Sequence, residues 1–383
     1  MKRTLFLIVV LLVCKAEAQS SVLSVADNLY NSGNYTAAIN QYSKLGTEHA
    51  SFQIAKAYNA IGNYDKSIAQ YENVLEKNSN FNLARFNLGK LYLKIKKPEK
   101  AMLNFLKLTT SDKKNPEYFY YLGRSFEAIK KNKQSISWYK NAVQLDSTHL
   151  RSIFRIGKYY VAKKEKDSVL KYVDKGLSFY ENDVALISLK AQAFFNYKNF
   201  EESIPLFEKL LELGEIKAFV YNKLAYAYFR AFEYDKAIET YKQLIVLQGM
   251  LAPDPKTFND LANVYLKDRQ LDSAKVYVKK AIDEKVFILD REYATLGRIA
   301  SQKNDLKTAI KYYKMAHKED SANPIYLYQV CILSDKYYKD PKLKLKQYEA
   351  FKEKYKNRKT NYFSAFTDRR ISELKSEIFA KGN

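Results

Sequence analysis

Basic residues recur along this chain at a spacing of 34 positions. The set is Lys56, Lys90, Arg124 and Lys158. Four positions before each of them stands an aromatic residue, in order Phe52, Phe86, Tyr120 and Phe154. Arg151 and Arg155 add two cations that precede Lys158 by seven and three positions, so all three share one helical face. This pattern predicts recognition of anionic groups, such as the carboxylates of an acidic protein segment.

Residues that could support catalysis or metal binding form no comparable pattern. The histidines, His49, His149 and His317, are far apart in sequence, and no pair has metal-ligand spacing, so surface or loop positions are expected. The chain also lacks a glycine-rich phosphate loop and a G-x-S-x-G motif. Cys331 occupies a position that small residues fill elsewhere, which indicates a buried apolar group. We therefore expect no enzyme, no metal and no cofactor.

The elements that position the basic residues follow from an internal repeat. A small residue precedes an aromatic by three positions again and again, and from Ala55 to Ala225 every step is 34. This small-residue column comprises Ala26, Ala55, Gly89, Gly123, Gly157, Ala191, Ala225, Ala262, Gly297 and Cys331. Sixteen positions after each of the first nine comes a large residue: Tyr42, Tyr71, Phe105, Tyr139, Val173, Phe207, Tyr241, Val278 and Tyr313.

Each repeat predicts two antiparallel helices. Apolar residues within each half recur at three and four positions, which is the helical stripe. Small residues allow two helices to approach closely, and the aromatics fill the space around them. Asn115-Pro116, Asp254-Pro255 and Asn323-Pro324 predict helix starts, and Gly33 and Gly62 predict turns inside repeats.

The 34-residue pattern, nearly all of which is present in the stretch YNKLAYAYFRAFEYDKAIETYKQLIVL (221–247), resembles that of tetratricopeptide repeat proteins of an exported bacterial type. The resemblance implies an all-α, right-handed superhelical solenoid of helix-turn-helix repeats. It covers residues 19–355, with nine repeats and a degenerate tenth whose second helix is left open. Residues 356–383 predict a linker and a C-terminal capping helix, with Phe366, Ile371 and Leu374 on its apolar face.

In that family one face of each first helix lines a concave groove that binds the partner. The resemblance therefore implies a partner-binding groove formed by Phe52, Lys56, Phe86, Lys90, Tyr120, Arg124, Arg151, Phe154, Arg155 and Lys158. An alternative stays open: the aromatics also suit ordinary packing positions, and the whole chain is basic, so the cations could simply be solvated.

The first 18 residues predict a signal peptide. A basic head, MKR, precedes the apolar run 5–13, and Ala16-Glu17-Ala18 matches a cleavage site before Gln19. The apolar run is about half as long as a membrane-spanning helix requires. Val13 departs from the lipoprotein pattern, so we do not expect lipidation at Cys14. The expected location is exported, in the periplasm or at the periphery of the outer membrane.

The formal net charge is +23. A field of this sign attracts acidic partners, and export argues against nucleic acid. The sequence therefore predicts a non-catalytic scaffold or adaptor that binds proteins through acidic or extended segments in the cell envelope. The resemblance implies secretion, motility or outer-membrane assembly as its setting. The alternative is a binder of acidic glycan or anionic lipid at the membrane surface, through a basic concave groove.

Overall fold

The computed structural model of the chain describes residues 20–249, 254–284, 288–356 and 363–382. The predicted signal peptide, residues 1–18, lies outside these ranges. All regular secondary structure within them is helical, which confirms the all-α prediction. No helix in these ranges combines the length and apolar character needed to span a bilayer.

The chain divides into two compact units, and the boundary between Leu189 and Lys190 falls within one helix, α11 (Val184–Asn196). The first unit contains α1 (20–31), α2 (Tyr35–Tyr42), α3 (Glu48–Ala60), α4 (Tyr64–Lys77), α5 (Asn82–Lys94), α6 (Pro98–Ser111), α7 (Pro116–Ala128), α8 (Asn132–Leu145), α9 (Leu150–Lys163) and α10 (Lys166–Leu177). The second unit contains α12 (Phe200–Glu212), α13 (Ala218–Arg230), α14 (Tyr234–Gly249), α15 (Pro255–Lys267), α16 (Leu271–Glu284), α17 (Asp290–Gln302), α18 (Leu306–Glu319), α19 (Pro324–Tyr337), α20 (Pro341–Tyr355) and α21 (Ser364–Gly382).

Within each unit, consecutive helices form hairpins whose core is the small-residue column packed on the large one. α3 packs on α4, α5 on α6, α7 on α8 and α13 on α14. A Cβ atom placed on Gly89 would lie 2.7 Å from the Phe105 ring, and one on Gly123 would lie 2.7 Å from the Tyr139 ring. The helices therefore approach so closely that the small residue and the large residue sixteen positions later occupy one shared space.

The predicted helix starts are confirmed by their capping bonds. Asn115 Oδ1 accepts from the Glu117 backbone N–H at 3.0 Å, Asp254 Oδ1 from that of Lys256 at 2.9 Å, and Asn323 Oδ1 from that of Ile325 at 3.1 Å. In each case proline follows the capping residue and takes the first helical position, where it has no N–H to leave unpaired.

The turn inside each of the first nine repeats places one residue in the left-handed region, seven positions after the small-residue column. Gly33 and Gly62 have φ of +80° and +81°, as expected for glycine. In the later repeats the same position holds a residue with a side chain: Lys96, Lys130, Lys164, Lys198, Phe232, Arg269 and Asn304, with φ between 57° and 65°. Seven turns thus adopt a backbone conformation that L-residues disfavour.

The C-terminal end of the second unit is capped as predicted. Residues 341–355, where the repeat pattern had faded, form α20, and α21 packs against it. Ile371 and Leu374 of α21 join a buried cluster with Cys331 and Phe351. Arg370 of α21 makes a two-pronged ion pair with Asp335 of α19, at 2.6 and 2.8 Å.

Candidate partner-binding groove

All ten predicted groove residues lie in the first unit, on the first helices of four consecutive hairpins: α3, α5, α7 and α9. Each aromatic stands four positions before its cation, so the two side chains are neighbours on one helical face. The first unit therefore presents a row of cations along successive helices.

The four aromatic residues are mainly part of the packing. Phe52 and Tyr120 are buried, with 3% and 4% of their surface exposed. Phe52 contacts the rings of Tyr71 and Phe81, at centroid distances of 6.0 and 5.1 Å. Phe86 and Phe154 are half-buried. Two of the four therefore offer little surface to a partner, in line with the packing alternative.

Two cations of the row, Lys56 and Lys90, rest on aromatic rings. Lys56 Nζ lies 4.8 Å from the ring centroid of Tyr30, and Lys90 Nζ lies 5.3 Å from that of Phe86. In the described part of the chain, no carboxylate forms an ion pair with Lys56, Lys90, Arg124 or Lys158. A ring face attracts an ammonium group without neutralising its charge, so these cations stay available to an anion.

Arg151 and Arg155 are different because each is paired with an acidic residue of the preceding hairpin. Arg155 Nη1 lies 3.1 Å from Glu127 Oε1, and Arg151 pairs with Glu117. Glu127 also accepts a 2.6 Å hydrogen bond from the Tyr139 hydroxyl. These two arginines therefore join α9 to α7, and their charge is largely compensated within the first unit.

Lys90 and Arg124 meet in an open cleft of about 300 Å³, which we call the α5–α7 cleft. Its polar lining consists of Asn59, Asn87, Lys90, Lys94, Tyr121 and Arg124. None of the described residues that line it is acidic. Lys94 Nζ lies 3.4 Å from Asn59 Oδ1, which ties α5 to α3. The cleft thus offers three cations and two side-chain amides to one ligand.

The other two cations of the row lie outside this cleft. Lys158 borders a recess of about 220 Å³ that also contains Glu127 and Arg155. Lys56 lines neither recess. The sequence analysis did not identify Asn59, Asn87 or Tyr121 as site residues. The feature that could have identified them is their position on the same helical faces as the cations.

A recess of about 600 Å³ in the second unit has mixed charge. Asp254, Asp290 and Glu319 line it together with Lys256 and Arg291. Asp254 caps α15, Asp290 accepts a 2.6 Å hydrogen bond from the Tyr326 hydroxyl, and Glu319 accepts from the Leu289 backbone N–H at 3.3 Å. These carboxylates stabilise the ends of hairpins, and this structural role accounts for their positions without a ligand.

His149 lies in the loop between α8 and α9, as expected for the histidines, but it is buried. Only 7% of it is exposed, and Nδ1 accepts from the Ser152 backbone N–H at 3.3 Å, so the ring caps α9. Nε2 lies 3.2 Å from Glu117 Oε1. No three His, Cys, Asp or Glu side chains in the described ranges are placed to share a metal ion.

Cys331 is buried at 0% exposure, and its thiol donates to the Gln347 carbonyl at 3.2 Å. Burial raises the pKa of this thiol to about 12. A thiol with that pKa is almost wholly protonated at neutral pH, so it packs as a small apolar group.

Two segments match sequence profiles of known families. Residues 52–116 and residues 223–247 each match a profile described as a tetratricopeptide repeat. Among curated proteins, a tetratricopeptide repeat protein 21 homolog from Caenorhabditis elegans is 21% identical over 272 residues, which is 68% of this chain and 19% of that protein. Its counterpart from Caenorhabditis briggsae is 22% identical over 148 residues, which is 39% of this chain and 11% of that protein. The chain thus spans about a fifth or less of the length of these relatives.

Solved structures of repeat proteins are also similar. The C-terminal part of a TPR repeat-containing protein from Cytophaga hutchinsonii is 18% identical, with a TM-score of 0.48, over 73% of this chain and 99% of that one. A tetratricopeptide repeat protein from Parabacteroides merdae is 13% identical, with a TM-score of 0.44, over 75% and 98%. The profile matches show that the chain contains tetratricopeptide repeats in both halves of its sequence, and both matched segments fold as helical hairpins.

Proposed function

We propose that this protein is a non-catalytic adaptor whose first unit binds an extended, acidic segment of a partner protein in the α5–α7 cleft. The observation that carries the proposal is the set of three cations, Lys90, Lys94 and Arg124, around one cleft without an acidic residue in its described lining. Stacked helical hairpins offer long, shallow surfaces of the kind that extended segments occupy.

The chemistry of the cleft suits carboxylates presented on a peptide chain. Arg124 can hold a carboxylate through two parallel N–H bonds, while Lys90 and Lys94 act as mobile point charges beside it. The amides of Asn59 and Asn87 can donate to, or accept from, the backbone of the same peptide. Because the cleft is open, a ligand can continue along neighbouring first helices.

We further propose that the adaptor works in the bacterial cell envelope, at the periplasm or the outer-membrane periphery. The support is the signal-peptide pattern of residues 1–18. Secretion, surface motility and outer-membrane assembly are the processes in which such an adaptor fits. The second candidate function is binding of acidic glycan or anionic lipid in the same groove. Binding assays with an acidic peptide, with polygalacturonate and with anionic vesicles distinguish the two candidates.

The test is a binding titration of a labelled 12-residue peptide that carries four glutamates, with a glutamine-substituted peptide as reference. Lys90→Glu combined with Arg124→Glu is expected to weaken binding of the acidic peptide by at least about tenfold, because both charges are reversed within one cleft. Lys77→Glu combined with Lys107→Glu changes net charge equally, at exposed sites outside the cleft, and should change affinity less than about threefold.

Equal affinity for both peptides, or equal losses in both variants, would disprove the cleft as a site for acidic segments. Preference for polygalacturonate or for anionic vesicles over the peptide, with the same dependence on Lys90 and Arg124, would favour the second candidate.

A further inference from the structure

A second basic surface of the first unit lies at the turns between the paired helices, outside the α5–α7 cleft. Three consecutive turns, α5–α6, α7–α8 and α9–α10, and the helix ends beside them contribute seven exposed lysines that we call the lysine rim: Lys96, Lys97, Lys130, Lys131, Lys133, Lys163 and Lys164. Within the described residues, no carboxylate forms an ion pair with any of the seven.

The hairpin topology brings these turns to one edge. α5, α7 and α9 end there, and α6, α8 and α10 begin there. The hairpins pack in sequence, α6 on α7 and α8 on α9, so their turns follow one another along the same edge of the unit. Seven ammonium groups therefore lie along one border, at the C-terminal ends of the helices that carry the groove.

Local physics disfavours lysine at two positions of each of the first two turns. Lys96 and Lys130 adopt φ of +59° and +62°, in the left-handed region that glycine occupies most easily. Lys97 and Lys131 stand at the N-caps of α6 and α8 without a capping side-chain bond, and a cation is unfavourable at a helix N-terminus.

The first two hairpins show what local stability prefers at these positions. There the pairs are Gly33-Asn34 and Gly62-Asn63, and each asparagine caps the following helix, with Oδ1 accepting from a backbone N–H at 3.3 Å. In the second unit the left-handed position holds Lys198, Phe232, Arg269 and Asn304. The first unit is distinctive because each of its three lysines at this position has a second lysine beside it, whereas Lys198 has none. A sequence that breaks local rules in this way points to a role outside folding.

We propose that the lysine rim docks the first unit onto an anionic membrane surface. Clusters of about four to eight basic residues suffice for attraction to anionic lipid headgroups. The rim has the required character: its ammonium groups stand on flexible stems, side by side on an exposed edge, and the three turns contain no aromatic residue. Lys97 also borders an open recess beside the α3–α4 turn, whereas the other six lysines line none of the recesses described above.

The test is flotation of the exported protein, with its N-terminus established by mass spectrometry, on vesicles of neutral phosphatidylcholine with or without 30% phosphatidylglycerol. The rim variant carries Gly at positions 96, 130 and 164, Asn at 97 and 131, and Gln at 133 and 163. Gly and Asn relieve the backbone strain and restore the helix caps, so a loss of binding cannot be attributed to unfolding.

The matched control replaces seven exposed lysines of the same unit by glutamine, outside the rim and the cleft: Lys44, Lys77, Lys107, Lys113, Lys114, Lys171 and Lys175. We expect the unaltered protein to float with anionic vesicles at 50 mM salt and to be released at 500 mM. The rim variant should bind at least about tenfold more weakly, whereas the control should lose less than about threefold.

The proposal is overturned if neutral vesicles bind the protein equally well, if the rim and control variants lose the same affinity, or if the rim promotes binding to polygalacturonate and not to vesicles. The rim variant should still bind the acidic peptide, with an affinity lowered less than about threefold by the loss of net charge. The outcome for the rim is therefore independent of the outcome for the α5–α7 cleft.

Discussion

The small residue at the centre of each hairpin sets the distance between its two helices. Ala225 is completely buried, as are Ala55 and Ala262, its counterparts in other repeats. Tyr241, sixteen positions later in α14, is 1% exposed and occupies the same place as the tyrosine and phenylalanine rings that face Gly123 and Gly89. A larger residue in this column has no room unless the helices separate.

Ala225→Leu is therefore expected to destabilise the protein by about 1–3 kcal/mol through overpacking. Ala218→Leu, in the same helix at an exposed position, is the matched control and should change stability by less than about 0.5 kcal/mol. Urea unfolding monitored by circular dichroism measures both. A cost for Ala225→Leu no greater than for Ala218→Leu would mean that the register of the repeat is wrong.

Residue type alone identified the packing columns but not the environment of several polar residues. Gly89, Gly123 and Gly297 could be assigned from sequence because their spacing to an aromatic is fixed by the hairpin. His149 could not, since its capping role depends on where α9 begins. Arg151 and Arg155 looked equivalent to Lys90 and Arg124 in sequence, but their neutralisation by Glu117 and Glu127 depends on contacts between hairpins.

At the scale of elements, the turns inside the hairpins join helices whose ends are stabilised unequally. The Gly62-Asn63 turn combines an unstrained left-handed residue with a cap for α4, whereas Lys130-Lys131 has neither. The regular spacing of the small-residue column predicted where each turn would fall. It could not predict which residues would take the left-handed position, because lysine and phenylalanine carry no signal for that conformation.

Exchanging these two turns tests their contribution to stability. Lys130→Gly combined with Lys131→Asn should stabilise the protein by about 1–2 kcal/mol, from relieved strain and a new cap. The reverse change, Gly62→Lys combined with Asn63→Lys, should destabilise it by a similar amount. Thermal unfolding gives both values, and a shift of the same sign in both variants would contradict this account.

The capping helix α21 is held to the second unit by a buried apolar face and by the Arg370–Asp335 pair. Partial burial tends to raise the pKa of Asp335, but Arg370 and Lys344 outweigh it and hold this pKa below its usual value. Because the folded-state pKa is lower than the unfolded one, the pair stabilises α21 at neutral pH. That contribution disappears only as the pH falls below about 4.

Asp335→Asn should accordingly destabilise the protein at pH 7 by about 1–3 kcal/mol, and the difference from the unaltered protein should shrink at pH 3. Asp368→Asn is the control, since the Lys352–Asp368 pair is exposed and should contribute less than about 1 kcal/mol. Chemical unfolding at both pH values measures the effects. A deficit for Asp335→Asn that is equal at pH 3 and pH 7 would exclude an electrostatic origin.

At the scale of the whole molecule, long-range charge and local contacts should control different steps of partner binding. The net charge of +23 belongs to the entire sequence and was evident from composition. The α5–α7 cleft was only partly predictable. Lys90 and Arg124 recur at the repeat spacing, but Asn59, Asn87 and Tyr121 become part of a site only when three first helices stand side by side.

If long-range charge controls association and contacts in the cleft control dissociation, two charge-reversal variants should change different rate constants for the acidic peptide. Lys77→Glu combined with Lys107→Glu lowers the net charge by four and should reduce mainly the association rate, because steering depends on the summed field. Lys90→Glu combined with Arg124→Glu lowers it equally but should also raise the dissociation rate by about tenfold, since the contacts that hold the peptide are lost. Stopped-flow fluorescence at 50 and 300 mM salt measures the two rates separately. The difference in association rate between each variant and the unaltered protein should fade at the higher salt. Identical dissociation rates for the two variants would mean that net charge alone accounts for binding and that the cleft contributes no contacts of its own.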